Sequence, residues 1–137
     1  MINARKSMLH QFKDESICSQ ALQYFSKVTL HNALPVFPAL LSMACEAVGG
    51  EPEKTIPLGE AIVFISAAAD LHDDVIDQSF EKGSKQTVSG KFGADVAILA
   101  GDILLVEGLR KLYEATDIFP KKRSGEIARW PTTFTPT

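Results

Sequence analysis

The chain has 137 residues, of which 45% are hydrophobic and 23% charged, which fits one globular domain and excludes an intrinsically disordered chain. Its formal net charge of -3 argues against a nucleic-acid binder, whose footprint is a basic face. The apolar run Ala61–Ala69 falls short of the roughly 20 residues a bilayer span needs, so no membrane span is expected.

The start, Met1–Lys13, mixes charged and polar residues and has no apolar stretch of the kind a secretory signal carries. With Cys18 and Cys45 inside apolar helical patterns, both are expected to be reduced core residues of a cytoplasmic protein. Breaks fall at Thr29–Ala33, Glu51–Thr55 and Lys82–Gly90. Between them apolar residues recur at spacings of three and four, the period of a helix. The first helix, about His10–Lys27, gathers Phe12, Ile17, Ala21, Leu22 and Phe25 on one face. The second is expected to begin near Pro38, carry Leu40, Leu41, Ala44, Cys45 and Val48, and stop at Gly49-Gly50. Pro57 opens a third helix, running to about Ser79. A fourth runs from about Phe92 to Ala115, with Val96, Leu99, Ile103, Val106 and Leu109 along it. No alternating run is long enough to predict a strand, so the fold class is all-α, a helical bundle over residues 1–119. Residues 120–137 read as an irregular tail. Pro120 ends the helical pattern, Lys121, Lys122 and Arg123 form a short solvated basic run, and Trp130–Thr137 has no helical period.

The chemistry is concentrated in Asp70-Leu71-His72-Asp73-Asp74-Val75-Ile76-Asp77. At about 100° per residue, its four aspartates fall within roughly a third of the helix circumference. Like charges at these spacings repel one another, and aspartate is a poor helix former. A divalent cation would relieve that repulsion, and magnesium bridges carboxylates to substrate phosphates. An exposed acidic face is the competing reading. His72-Asp73 also admits a metal-dependent phosphohydrolase of the His-Asp type, with His31 and either Asp95 or Asp102 as partners. That reading leaves Asp74 and Asp77 without a role. The plain reading of His72 is a partly buried helix residue pointing away from the metal face.

Asp73-Asp74-Val75-Ile76-Asp77 resembles the first aspartate-rich motif (DDxxD) of the trans-polyprenyl diphosphate synthases, such as the geranylgeranyl diphosphate synthases. Two further segments resemble the family in order. Ala44-Cys45-Glu46-Ala47-Val48-Gly49-Gly50 precedes the motif, and Phe92-Gly93 with Ala97-Ile98-Leu99-Ala100-Gly101-Asp102-Ile103-Leu104-Leu105 follows it. The resemblance covers about residues 5–118, roughly the N-terminal half of a complete synthase, and implies part of the isoprenoid synthase fold. It implies that magnesium binds at Asp73, Asp74 and Asp77 and grips the diphosphate of an allylic substrate. In the family, ionisation then leaves an allylic cation that isopentenyl diphosphate attacks. A diphosphate leaves only when its growing charge is neutralised, and clustered metals do this. Asp70 lies one turn before the motif and reads as a solvated neighbour. Chain length in the family is set one turn before the motif, which places Ala68 and Ala69 at a pocket for the prenyl chain. Close helix packing by alanine is the plainer account of both.

The departures from the family are specific. Its Gly-Lys-x-x-Arg-Pro segment grips isopentenyl diphosphate, and alignment puts Leu34 at the lysine and Phe37 at the arginine. A His or Gln upstream of the motif is matched by Ser66. Paired arginines after the motif are replaced by Glu81 and Lys82, or by Lys82 and Gly83 in the other register. Lys82 and Lys85 are then the cations left to touch a diphosphate, unless the segment is merely an exposed loop. No second aspartate-rich motif is expected in this chain. The resemblance therefore implies a prenyl synthase-like protein that binds magnesium and an allylic prenyl diphosphate but lacks full activity alone. It would act as a homo-oligomer or as a hetero-oligomer with another synthase subunit. A non-catalytic regulatory or structural helical subunit is the alternative.

Overall fold

Ser16 opens the first helix. In a computed structural model, which describes Lys6, residues 15–29 and residues 36–116, its hydroxyl accepts a hydrogen bond from the Ser19 amide at 3.2 Å. Helix α1 then runs Ile17–Val28. This cap satisfies a free amide of the first turn. Helix α2, Val36–Ala47, begins two residues before the predicted Pro38. Proline is tolerated there because the first-turn amides have no intrahelical acceptor. The predicted Gly49-Gly50 stop is observed. Gly49 has φ +78°, its amide bonds the Glu46 carbonyl, and the Gly50 amide bonds the Cys45 carbonyl, both at 2.9 Å. This is the paired closure of a left-handed helix cap.

One 3-10 turn, Pro52–Thr55, leads into α3, Ile56–Ile76, with Pro57 in its first turn. Helix α3 stops short of the predicted Ser79. Gln78 turns to φ +52°, and the Ser79 amide reaches back to the Asp74 carbonyl at 2.9 Å. A glutamine in that left-handed position gives no sequence signal, since glycine or asparagine is the usual cap. No strand is predicted after it, yet β1 (Glu81–Lys82) and β2 (Lys85–Gln86) pair antiparallel. Two residues per strand are too few to write an alternating pattern. The hairpin's trace in the sequence is its Gly83-Ser84 turn, where Gly83 takes φ +65°. A short helix α4 (Val88–Phe92) occupies the end of the expected break, and after Gly93, φ +92°, the fourth predicted helix is observed as α5 (Ala94–Ala115).

The core lies where α3 packs along α5, with α1 laid over the pair. Phe64, Ala67, Ala68 and Leu71 of α3 meet Ala97, Ala100 and Leu104 of α5, and Leu22 and Phe25 of α1 close one side. Helix α5 approaches through its small residues. A Cβ on Gly101 would stand 2.4 Å from the His72 ring, and one on Gly108 would stand 2.7 Å from Ile65. The larger side chains are therefore displaced from the predicted stripe. Val96 and Ile103 pack partly against the core, whereas Leu99, Val106 and Leu109 are exposed. Helix α2 buries no residue; Leu40, one of the apolar residues it was expected to carry, is exposed, and so is Val48, which falls just beyond its end. Cys18 and Cys45 are free thiols but half-buried rather than core. By length and composition alone, Pro52–Ile76 is apolar enough to cross a bilayer, a longer stretch than Ala61–Ala69. Here one side of that stretch forms the core of the bundle. His10, Phe12, His31, Leu34 and the tail over 120–137 lie outside the described residues.

Candidate functional site

The last two turns of α3 carry the acidic sequence, and the fold separates its members. Asp74 faces inward, its side chain 6% exposed, and Lys82 Nζ lies 2.8 Å from its Oδ1. The same ammonium donates to Asp70 Oδ1 at 2.6 Å. Asp70 is therefore a bonded partner of Lys82, and not the solvated neighbour expected. Asp73 and Asp77 are exposed, one turn apart, and neither has an ion-pair partner among the described residues. Asp77 ends α3, its amide bonded to the Asp73 carbonyl at 2.8 Å, so the cap fixes the backbone beneath both carboxylates.

Lys82 reaches the aspartates because the hairpin is pinned at its base. Thr87 Oγ1 donates to the Ser79 carbonyl at 2.7 Å and accepts from the Gly90 amide at 3.0 Å, which also caps α4. The Thr87 amide bonds the Phe80 carbonyl at 2.9 Å. Gly90 is required there, since a Cβ would stand 2.1 Å from the Phe80 carbonyl oxygen. Helix α1 holds the other strand, Tyr24 donating its hydroxyl to the Gln86 carbonyl at 2.8 Å. Lys91 Nζ sits 4.0 Å over the Tyr24 ring, and Phe92 meets that ring edge-on at 5.7 Å. Beneath the hairpin lies a cleft of about 340 Å³, lined by Thr29, Asp74, Lys82, Lys85 and Thr87 among others. Lys85 has no ion-pair partner among the described residues.

The electrostatics follow from that sharing. Burial lowers the Lys82 pKa, but the hydrogen bonds to Asp70 and Asp74 outweigh it and leave the ammonium above the usual lysine value. Burial raises the Asp74 pKa. Lys82 pulls it back, while Asp70 and Asp73 push it up, and it stays above the usual carboxylate value. Both values are raised, for Lys82 because its two carboxylates outweigh burial and for Asp74 because burial outweighs Lys82.

The remaining predicted residues are dispersed. Ala68 is in the core, while Ala69 is exposed on the side of Asp73. Phe37 is exposed at the start of α2, and Ser66 is half-buried. His72 is half-buried as expected. Its Nε2 lies 3.3 Å from both the Ile98 carbonyl and Asp102 Oδ1, so it bridges α3 and α5. No three His, Cys, Asp or Glu side chains among the described residues converge as a metal-binding group, and His31, the partner that the His-Asp phosphohydrolase reading needs, lies outside those residues. For magnesium, the donor set that fits is Asp73 with Asp77. It supplies two exposed carboxylates and leaves the remaining positions to water and phosphate oxygens. Asp74 would join only if Lys82 moved away. Sequence reasoning missed the role of Asp70. Its signal was there, a second carboxylate four residues before Asp74 and a lysine shortly after the helix.

The Polyprenyl synthetase family model matches residues 15–128. The chain belongs to that family. Among curated relatives it is 35% identical over 99 residues to geranylgeranyl pyrophosphate synthase 7 of Arabidopsis thaliana, covering 69% of this chain and 28% of that protein. It is 40% identical over 83 residues to a heterodimeric geranylgeranyl pyrophosphate synthase large subunit of the same plant, covering 59% of this chain and 22% of that one. The geranylgeranyl pyrophosphate synthetase of Pyrococcus horikoshii superposes with a TM-score of 0.69 at 26% identity, over 92% of this chain and 38% of that one. Polyprenyl synthetases of this kind have the all-α isoprenoid synthase fold, and α1–α5 form part of it. The chain spans between a fifth and two-fifths of the length of these relatives.

Proposed function

We propose that this chain provides the first-aspartate-motif part of a prenyl diphosphate synthase, binding magnesium and the diphosphate of an allylic prenyl substrate. The supporting observation is the pair Asp73 and Asp77, exposed and without a cationic partner among the described residues, at the capped end of the core helix. Asp73 and Asp77 hold the magnesium, and Asp74 carries the pairing with Lys82. When bound, the metal neutralises charge on the departing diphosphate. Lys85 faces the same cleft as Lys82 and supplies a free ammonium to the phosphate oxygens. Ala69, exposed on the Asp73 side, leaves room for the prenyl chain.

Elongation by this chain alone is not expected. Phe37 stands where the family resemblance asks for a cation, and the ammonium of Lys82 is shared by two carboxylates. A second synthase subunit, or a second copy, would complete the site. The exposed apolar side chains of α2 (Phe37, Leu40, Met43) and α5 (Leu99, Val106, Tyr113) offer it a surface, and one relative is by name a subunit of a heterodimer.

The test is calorimetry with magnesium and geranyl or farnesyl diphosphate. Wild type should bind, and Asp73→Ala should lose about 1.5–3 kcal/mol, the worth of one charge-assisted contact. A parallel assay with labelled isopentenyl diphosphate should show no elongation by the chain alone. Equal binding by wild type and Asp73→Ala refutes the metal assignment. Absence of binding in both leaves the non-catalytic subunit as the function.

A further inference from the structure

We propose that Asp70 is a latch residue, which holds Lys82 against Asp74 and so withholds its ammonium from a phosphate ligand in the adjoining cleft. The proposal rests on the diphosphate-binding reading for its ligand, but the latch itself stands on contacts within the chain.

Lys82 Nζ lies 2.6 Å from Asp70 Oδ1 and 2.8 Å from Asp74 Oδ1. Asp74 needs a cation, since its side chain is buried and an unpaired carboxylate there would be costly. Lys82 alone meets that need, so Asp70 is not required to satisfy anything buried. Its own side chain is 34% exposed. It nevertheless sits four residues before Asp74 on one helix, a spacing at which two carboxylates repel. What Asp70 adds is a second acceptor on the same ammonium. The trio then carries two negative charges and one positive, with Asp74 and Lys82 both lining the cleft. A phosphate entering that cleft meets a net negative trio and has to draw Lys82 from two carboxylates at once. The lysine itself is open to a ligand from solvent. It stands on a two-residue strand beside the Gly83-Ser84 turn, and its side chain is 49% exposed. Lys85, on the paired strand, lines the same cleft without a carboxylate partner among the described residues. With the latch closed, the cleft offers a phosphate one lysine. With it open, it offers two.

The experiment uses the full chain as wild type, Asp70→Asn, Asp70→Glu and the double variant Asp70→Asn with Lys82→Ala. Limiting acetic anhydride labels the lysines, and peptide mass spectrometry reads Lys82 against Lys85 in the same molecule. Lys82 should label several-fold faster in Asp70→Asn and at the wild-type rate in Asp70→Glu, which retains the acceptor. Calorimetry with inorganic pyrophosphate, without metal, gives the second reading. Asp70→Asn should bind about tenfold tighter, the worth of one released charge-assisted hydrogen bond, and the double variant should lose that gain. Circular dichroism of each variant confirms the helices, and Asp70→Glu keeps the charge should Asp70→Asn prove unstable. Equal Lys82 labelling in wild type and Asp70→Asn overturns the latch. So does a gain in pyrophosphate affinity that survives Lys82→Ala, or no gain where wild type binds. If no variant binds pyrophosphate while Asp70→Asn still speeds Lys82 labelling, the withholding of Lys82 from a phosphate is overturned and only the contact stands, whereas the magnesium-dependent reading fails on its own calorimetry with magnesium and an allylic diphosphate.

Discussion

Replacing Lys82 by methionine keeps the aliphatic stem and removes the only cation that Asp74 has among the described residues. The loss can be bracketed. Breaking a fully buried ion pair from one side costs about 3–5 kcal/mol, whereas exposed pairs contribute about 0–1 kcal/mol. Asp74 belongs to the first case, with its side chain 6% exposed, and Lys82 to the second, at 49%. Water enters where the ammonium stood, so the expected loss is about 1–2 kcal/mol at pH 7. For a chain of this length that lowers Tm by roughly 3–8 °C. The pH dependence carries the diagnosis. Burial, opposed by Lys82 and reinforced by Asp70 and Asp73, leaves the folded Asp74 pKa above its usual value. A group with a raised folded pKa contributes stability below its unfolded pKa and loses it as pH rises through the folded one. Methionine removes the opposing influence and raises that pKa further, so the penalty is largest at neutral pH. It should shrink toward zero below about pH 4, where Asp74 is protonated in both proteins. Urea unfolding followed by circular dichroism at pH 7 and at acid pH measures both. An equal loss at the two pH values would trace the effect to packing, and no loss at pH 7 would refute the account of Asp74.

Two further substitutions test the frame that carries the site. Leu104→Ala empties a fully buried position on the seam between α3 and α5, and should cost about 3 kcal/mol in urea unfolding. A loss under about 1 kcal/mol would mean the seam collapses onto the gap. Gln78→Gly relieves a non-glycine residue at φ +52° and should gain about 0.5–1 kcal/mol by the same measurement. A loss there would place the strain of the α3 cap elsewhere.

How much of this was legible depends on which residues carried a local signal. The helices were readable because their stops are chemical: Gly49-Gly50 after α2 and Pro57 at the start of α3 are unambiguous. Gln78 has no such mark, which is why the end of α3 was misplaced. The inner stripe of α5 was misread for a tertiary reason. Periodicity counts large apolar residues, but the helix packs through Ala97, Ala100, Gly101 and Gly108, and close approach is decided by the partner helix. The site divides the same way. Spacing put four aspartates on one side of a helix, and the family resemblance grouped Asp73, Asp74 and Asp77 together. Neither could show that Asp74 is buried. That depends on Thr87, Tyr24 and Gly90 folding the hairpin back onto the helix, contacts that join residues up to 62 apart in sequence.

The position of the aspartates also has a cost that bears on why they are there. All four lie in the last two turns of α3 or at its cap, and no basic residue lies in its last turn. The carbonyl end of a helix is its negative end, so the carboxylates of its last turn and cap, Asp73, Asp74 and Asp77, are each about 0.3–1 kcal/mol less favourable there than at the other end. Mutual repulsion adds to this at the 70–74 and 73–77 spacings. Lys82 offsets part of it for Asp70 and Asp74, but no described residue does so for Asp73 and Asp77. A fold seeking stability alone would place glutamine or lysine at the two exposed positions. On the function proposed above, the uncompensated pair has its rationale in a cation from solution, and the compensated pair in a cation from the chain. That division of one acidic helix end between an external and an internal counter-ion is what makes Asp70 and Lys82 relevant to how tightly a phosphate binds.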